Sequence, residues 1–376
     1  MATRIGIEAQ RLFRVHKHGV EVVCLELLRE LQSLPSANEY FVFVKDDKDV
    51  CLTTANNCNV IVLPSTPYPL WEQFVLPNAI RKYRLQLLHC TGNTAPIHVS
   101  VPRLLTLHDI IFLEDRSFSG TAYQNWGNLY RRWVVPRIVP KCRSIVTVSQ
   151  FEKERIMEYF HLADHQVEVV YNGVNSDFKS YAPGELAGYA KKYNLPAQFI
   201  LFFGNPNPKK NTVGVLKAYN RYYNEMKKYA LPLVVVDCSE AYINSMLRKF
   251  GLQNMERNIL PRNYIPFREM PYLYNLATLF LYPSQREAFG LPILESMACG
   301  TPVITATNSS MPEVAGGAAL LVDAGDEDEM AERMQQILSD SSLYRQKKEE
   351  GITRAATFSW KETAMKMIKV YEKAMG

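Results

Sequence analysis

Residues 287–303 read EAFGLPILESMACGTPV, with two glutamates, Glu287 and Glu295, eight positions apart. Between them Phe289-Gly290-Leu291-Pro292 reads as a turn that opens a helix. Proline suits the first helical position, where its missing N–H has no intrahelical partner. Gly300 suits the residue just past the helix end. The spacing predicts a short helix over 292–299, between the strands LFLYP and PVITA. At its start the Gly290 and Leu291 amides and the helix dipole make a seat for phosphate, and Gly290, lacking Cβ, lets a ligand come close. A carboxylate beside phosphate is repelled unless it faces hydroxyl donors, which an acceptor-only group takes well. Glu287 on one side and Glu295 on the other therefore describe a diphosphate flanked by hydroxyls: a nucleotide sugar.

Three other stretches place reactive side chains where strands end. FFGNPNPKKNTVGVLKAY runs strand, glycine, loop, lysines, helix, with Gly204, Lys209 and Lys210 in a phosphate-cradling order. LLTLHDIIFLED puts His108 and Asp109 at the end of an apolar strand, where cleft residues belong. FRVHKHGV sets His16 and His18 beside Gly19 in the loop after the first strand. Asp-x-Asp occurs at 47–49 and 326–328, but the first lies in a charge-rich loop and the second is a helix cap, so no metal is expected. The seven cysteines show no C-x-x-C spacing, which signals neither zinc nor a redox pair.

The elements that position these groups come in two series. TRIGIEAQ, YFVFV, VIVLP, QLLHC, RLLTLHD, SIVTVS and VEVVYNGV are short apolar runs with few polar alternations, as buried parallel strands are. VEVVCLELLRELQSL and QFEKERIMEYF are helical between them. NSDFKSYAPGELAGYAKKYNLPA is polar and carries Pro183, Gly184, Gly188 and Pro196, so it reads as a junction. A second series begins with FILFFGN and continues through PLVVVDC, NYIP, ATLFLYPS, PVITA and AALLVDAG. This predicts two doubly wound α/β domains, 1–178 and 196–357, with ligands at the carboxyl ends of their strands. The last helix, 358–376, is amphipathic.

At 376 residues, 47% hydrophobic and 22% charged, the chain suits a two-domain globular protein. Residues 1–180 carry 20 Lys+Arg against 18 Asp+Glu, and residues 181–376 carry 23 against 20. That even spread argues against a nucleic-acid-binding domain. No apolar run reaches a membrane span, and the N-terminus lacks the apolar core of a signal peptide, so a cytoplasmic location is expected.

With its F-G-L-P filling, and followed by TPVI and SSMPEVAGG, the Glu287–Glu295 motif resembles the signature of glycosyltransferase family 4 (group 1), retaining enzymes of GT-B fold. The resemblance implies two facing Rossmann-like domains, the first (1–178) binding the acceptor and the second (196–357) the nucleotide sugar, with the C-terminal helix crossing back onto the first. It implies that Glu287 binds the donor sugar and Glu295 the ribose, with Phe289, Gly290 and Leu291 beside the diphosphate. Family members usually carry G-R-x-x-x-x-K where this chain has Gly204, Asn205 and Lys210. Asn205 replaces the arginine, and Lys209 is expected to supply the charge. His108 is implied beside the transferring sugar. The loop of Gly19 borders the donor phosphates, while His16, His18 and Asp109 are candidates for the acceptor.

The implied activity is transfer of a hexose, with a lean to GDP-mannose, onto a glycan or lipid-linked glycan in surface polysaccharide synthesis, without a metal. The aromatic and basic stretches YQNWGNLYRRWVVPRIVPK and YPLWEQFVLPNAIRKYRLQ suit peripheral contact with the inner face of an anionic membrane. A binding subunit without catalysis, or a GT-B epimerase or hydrolase, stays open as an alternative. A dinucleotide-dependent dehydrogenase is disfavoured, since neither βα turn reads G-x-G-x-x-G.

Overall fold

The computed structural model describes residues 3–17, 19–114 and 122–376. The chain divides into two units, one of Met1–Gly173 with Ser359–Gly376 and one of Val174–Phe358.

The first unit holds a seven-stranded parallel sheet. Its strands are β1 (Arg4–Glu8), β2 (Glu39–Lys45), β3 (Cys58–Leu63), β4 (Leu87–Cys90), β5 (Arg103–Thr106), β6 (Ser144–Thr147) and β7 (Val167–Val169), in the order β3-β2-β1-β4-β5-β6-β7. Strands buried on both faces explain the unbroken apolar runs. Ile5 and Ile7 of β1 point to one face, against the helix Gly19–Ser33. Phe41, Phe43 and Leu88 point to the other, against Trp71 and Val135. The C-terminal helix Trp360–Met375 closes the first of these faces with Ala364, Met367, Val370, Tyr371 and Ala374. It is anchored polar-wise as well: the Tyr371 hydroxyl meets His89 Nδ1 at 2.9 Å, and the Thr363 hydroxyl donates to the Tyr171 carbonyl at 2.7 Å.

The second unit holds a six-stranded parallel sheet of β8 (Ile200–Phe203), β9 (Leu233–Val236), β10 (Ile259–Arg262), β11 (Leu279–Tyr282), β12 (Val303–Ala306) and β13 (Leu320–Val322). Their order is β10-β9-β8-β11-β12-β13. Both sheets reverse strand order once, between β1 and β4 and between β8 and β11. These are the switch points at which open α/β sheets bind ligands.

Two sequence expectations need correction. The strand placed at NYIP lies earlier, at Ile259–Arg262: Ile259 is buried in the core and pairs with Leu233, and the ladder ends at Arg262 opposite Val236, the last residue of β9. The polar stretch 175–197, read as a junction, contains the helix Pro183–Lys192 and belongs to the second unit. Pro183 opens that helix, and Glu185 reaches back to the Ala182 amide at 3.0 Å.

Candidate active site

In the second unit the site grows from the ends of β8 and β11. After β8 the chain passes Gly204, where a Cβ would stand 2.6 Å from Val235 Cγ1, so glycine is needed for the close turn. The loop then folds on itself. Asn205 Oδ1 accepts the Asn207 N–H at 2.9 Å, and Asn207 Oδ1 accepts the Lys209 N–H at 3.1 Å. Asn205 thus spends its side chain on shaping the loop. Asn211, buried and in left-handed backbone at φ 57°, donates its amide to the Pro283 and Ala324 carbonyls at 3.2 and 2.7 Å. That pins the lysine loop to the chain following β11 and β13.

After β11 the chain reaches Glu287. Lys210 Nζ lies 2.7 Å from Glu287 Oε1 and 3.1 Å from the Tyr282 hydroxyl. An ammonium has three N–H donors, so this pairing leaves one for a ligand. The Glu287 side chain is 13% exposed. Burial pushes its carboxyl up, but the charges of Lys210 and Lys209 and hydrogen bonds from Lys210 and Ser284 outweigh that and hold it below the usual range. A second strap holds the loop. Ser309 Oγ accepts the Glu287 N–H at 3.0 Å, and Ser310 Oγ reaches the Glu287 and Phe289 carbonyls at 3.0 and 2.8 Å.

Gly290 has φ +106°, a value side chains resist, and it precedes the helix Leu291–Ala298, one residue earlier than the spacing predicted. Phe289 is buried beside it. The first amides of this helix have no intrahelical acceptor. Glu295 sits one turn in, 8% exposed, and takes the Tyr274 hydroxyl on Oε2 at 3.0 Å. Burial pushes its carboxyl up to about 7, against the lowering effect of Tyr274. The two glutamates are thus electrically unlike: Glu287 is held ionised by lysine, and Glu295 is close to neutral. Gly204, Asn205, Lys209, Lys210, Glu287, Phe289, Gly290, Leu291 and Glu295 all gather at this one switch point. Sequence reading missed Asn211, Tyr274, Tyr282, Ser309 and Ser310, whose only signals were an asparagine after the lysines and a serine pair after the helix.

In the first unit His108 follows β5 and is buried. Its Nε2 lies 3.0 Å from the Thr91 carbonyl, so that nitrogen carries the proton. Burial holds the ring below its ordinary pKa; the imidazole is neutral at pH 7 with Nδ1 as an acceptor. Asp109 Oδ1 accepts the Ile111 N–H at 3.0 Å at the start of the helix Ile111–Glu114. Gly19 is the first residue of its helix, and a Cβ there would meet nothing within 4 Å. His16 lies exposed in the loop before it, and His18 falls outside the described residues. Asp49 is occupied by Lys17 at 2.5 Å, and Asp326 caps the helix Glu327–Ser339.

The comparisons with known proteins agree with this architecture. Residues 190–354 match the family described as "Glycosyl transferases group 1", and residues 17–178 match "Glycosyltransferase Family 4". O-antigen chain mannosyltransferase B of Escherichia coli is 31% identical over 297 residues, covering 78% of this chain and 76% of that protein. The chain belongs to the group 1, family 4 glycosyltransferases. Serotype-specific mannosyltransferase WbdA of Escherichia coli is 28% identical over 59% of this family member, which spans only 28% of WbdA. Among solved structures, Anabaena Alr3699/HepE in complex with UDP-glucose superposes with a TM-score of 0.74 at 16% identity, over 98% of this chain and 99% of that one. Each unit is Rossmann-like and the fold is GT-B. The glycosyltransferase is nucleotide-sugar-dependent by family membership, and no helix among its described residues is long and apolar enough to cross a membrane.

Proposed function

We propose that this glycosyltransferase moves a mannosyl group, with retention, from GDP-mannose to a glycan or lipid-linked glycan of a surface polysaccharide, without a metal. The observation that carries the reading is the Lys210–Glu287 pair beside the Gly290–Leu291 helix start. It joins a cation and helix amides for a diphosphate to a carboxylate for sugar hydroxyls. The mannose preference is supported by the mannosyltransferase relatives. Breaking the sugar–phosphate bond builds negative charge on the leaving diphosphate, which the free Lys210 proton and the helix amides would stabilise. Loss of one such donor is expected to raise the barrier by about 3 kcal/mol. Glu287 and Glu295 do not form a glycosidase pair, since the phosphate seat lies between them, and His108 Nδ1 is the group assigned to the transferring sugar.

The test is thermal stabilisation by GDP, UDP, dTDP and ADP, then by their sugars. A ligand at 100 times its Kd adds about 2.7 kcal/mol. GDP is expected to shift the melting point, and Glu295→Ala and Lys210→Ala to weaken the shift. No shift with any nucleotide overturns the site assignment, and a shift with UDP alone overturns the GDP preference.

We further propose peripheral contact with an anionic membrane. The two aromatic, basic segments lie together: Tyr130 of the helix Ala122–Ile138 donates to Glu72 Oε2 and takes Gln73 Nε2 at 2.8 Å. Trp126 is 75% exposed and Phe74 64%, and the Arg137 guanidinium lies 4.9 Å from the Trp133 ring centre. Exposed aromatics among arginines suit a bilayer interface. Co-sedimentation with anionic vesicles is expected, and Arg131→Glu/Arg132→Glu is expected to abolish it; wild-type protein that stays in the supernatant rejects the contact.

A further inference from the structure

The first unit has an open recess at the amino ends of β5 and β6, whereas His108 follows the carboxyl end of β5. The recess measures about 590 Å³, and His98, Val99, Val101, Arg103, Lys141 and Arg143 are among the residues that line it. Arg103 opens β5 and Arg143 immediately precedes β6. The Arg103 carbonyl accepts the Arg143 N–H at 2.8 Å, so the backbone holds these two residues side by side. His98, Lys141 and Arg143 are exposed, whereas Arg103 is 4% exposed. None of the described residues lining the recess is acidic. The sequence keeps it so: both segments that build it, 73–108 and 116–151, lack Asp and Glu altogether.

Arg103 is the unusual member. Its Nη1 donates to the Pro96 carbonyl and its guanidinium meets the Cys142 thiol. Its Nε has no acceptor, and among the described residues no carboxylate meets its charge. An arginine buried this deeply is normally paired, because a buried cation without a counter-charge is costly. The recess that Arg103 lines gives a counter-charge its place. A guanidinium fork beside an ammonium and a second guanidinium matches the oxygens of a phosphate group. A cleft lined by one sign of charge also focuses its field on an anion. One carboxylate would leave most of these donors unused. Val99 and Val101 add an apolar wall, and the recess is larger than phosphate itself, so it has room for the body that carries the phosphate.

We propose that this recess is a site for a phosphomonoester group, separate from the donor seat, with Arg103 as its buried anchor and Lys141 and Arg143 as its rim. The first probe is inorganic phosphate at millimolar concentration, compared with chloride at equal ionic strength. Melting is followed for wild type, Lys210→Ala and Lys141→Glu/Arg143→Glu. Lys210→Ala removes a cation of the donor seat, and the two rim residues are exposed, so folding tolerates their replacement. Phosphate is expected to raise the melting temperature of wild type and of Lys210→Ala by a few degrees, and the rim variant is expected to lose the shift. Arg103→Lys, which keeps the charge but not the fork, should weaken the shift. No shift in wild type, a shift lost in Lys210→Ala, or a rim variant that responds as wild type does overturns the site. An unchanged response in Arg103→Lys overturns the role of the fork. Vesicles of phosphatidylcholine with phosphatidic acid, whose headgroup is a phosphomonoester, then distinguish the source. Retention on them that free phosphate releases and the rim variant lacks assigns the site to a lipid headgroup. A phosphate shift without such retention assigns it to a soluble phosphomonoester.

Discussion

The site's two glutamates have opposite electrostatic fates, and that difference can be measured. Glu295 is held protonated towards pH 7 mainly by burial, whereas Glu287 is held ionised by Lys210 and Lys209. A carboxyl whose folded pKa is raised contributes stability that is complete below its unfolded pKa and lost as pH rises through the folded one. The window for Glu295 is therefore about pH 4.5 to 7, and Glu8, also pushed up to about 7 by burial, shares it. Glu287 has the opposite sign: it stabilises above the unfolded carboxylate range, and the contribution is lost on acidification. A shift from 4.5 to about 7 corresponds to roughly 3 kcal/mol. Glu295→Gln, which stays neutral, is expected to match wild type in urea unfolding at pH 5 and to exceed it by about 2–3 kcal/mol at pH 8. Equal stabilities at pH 8 would show that Glu295 ionises there without cost. Such a gain, with weakened nucleotide binding, is the mark of a group kept for function at the expense of stability.

At the scale of elements, the lysine loop is placed by a contact no motif records. Gly214 lies in the first turn of the helix Thr212–Met226, and a Cβ there would stand 2.3 Å from Asn211 Oδ1. Glycine to alanine in a helix normally stabilises by roughly 0.5–1 kcal/mol. Here the sign should reverse. Asn211 is buried with both its amide hydrogen bonds made to backbone carbonyls, so it cannot yield without breaking them. Gly214→Ala is expected to destabilise by about 1–3 kcal/mol and to weaken nucleotide binding, because Lys209 and Lys210 immediately precede Asn211. Unchanged melting and binding would show that the loop relaxes freely. This case also shows where sequence reading stops. The helix start at Gly290-Leu291-Pro292 was legible because proline and glycine have local conformational meaning. The strands were legible because runs such as the Leu233–Val236 stretch of β9 are apolar on both faces. Asn211, Ser309 and Tyr274 act through partners 70 or more, 22 and 21 residues away, and nothing local marks an asparagine or serine for such a contact. NYIP failed for a related reason: which four residues join the sheet is decided by pairing with β9, not by composition.

At the scale of the whole molecule, the chain visits the first unit twice. The second unit is one continuous segment, Val174–Phe358, with its own core. The first is closed only by the final helix, which brings Met367, Val370 and Tyr371 onto the face of Ile5 and Ile7 and supplies the hydroxyl on His89. A chain ending at Phe358 would leave that face uncovered and a buried imidazole nitrogen without its partner, a loss of several kcal/mol from transfer and hydrogen bonding together. The tryptophans offer a selective reporter, since the three left in the truncated chain, Trp71, Trp126 and Trp133, all belong to the first unit. The truncated chain is expected to show the red-shifted emission of solvated Trp71, which is fully buried in the intact protein, and to bind a dye for exposed apolar surface. Its second unit should still melt cooperatively by circular dichroism and still be stabilised by the nucleotide that stabilises the full chain. If Trp71 emission stays blue and cooperative melting of both units persists, the last helix is an accessory to the first core. If nucleotide stabilisation disappears with the helix, donor binding depends on more than the residues gathered at the β8–β11 switch point.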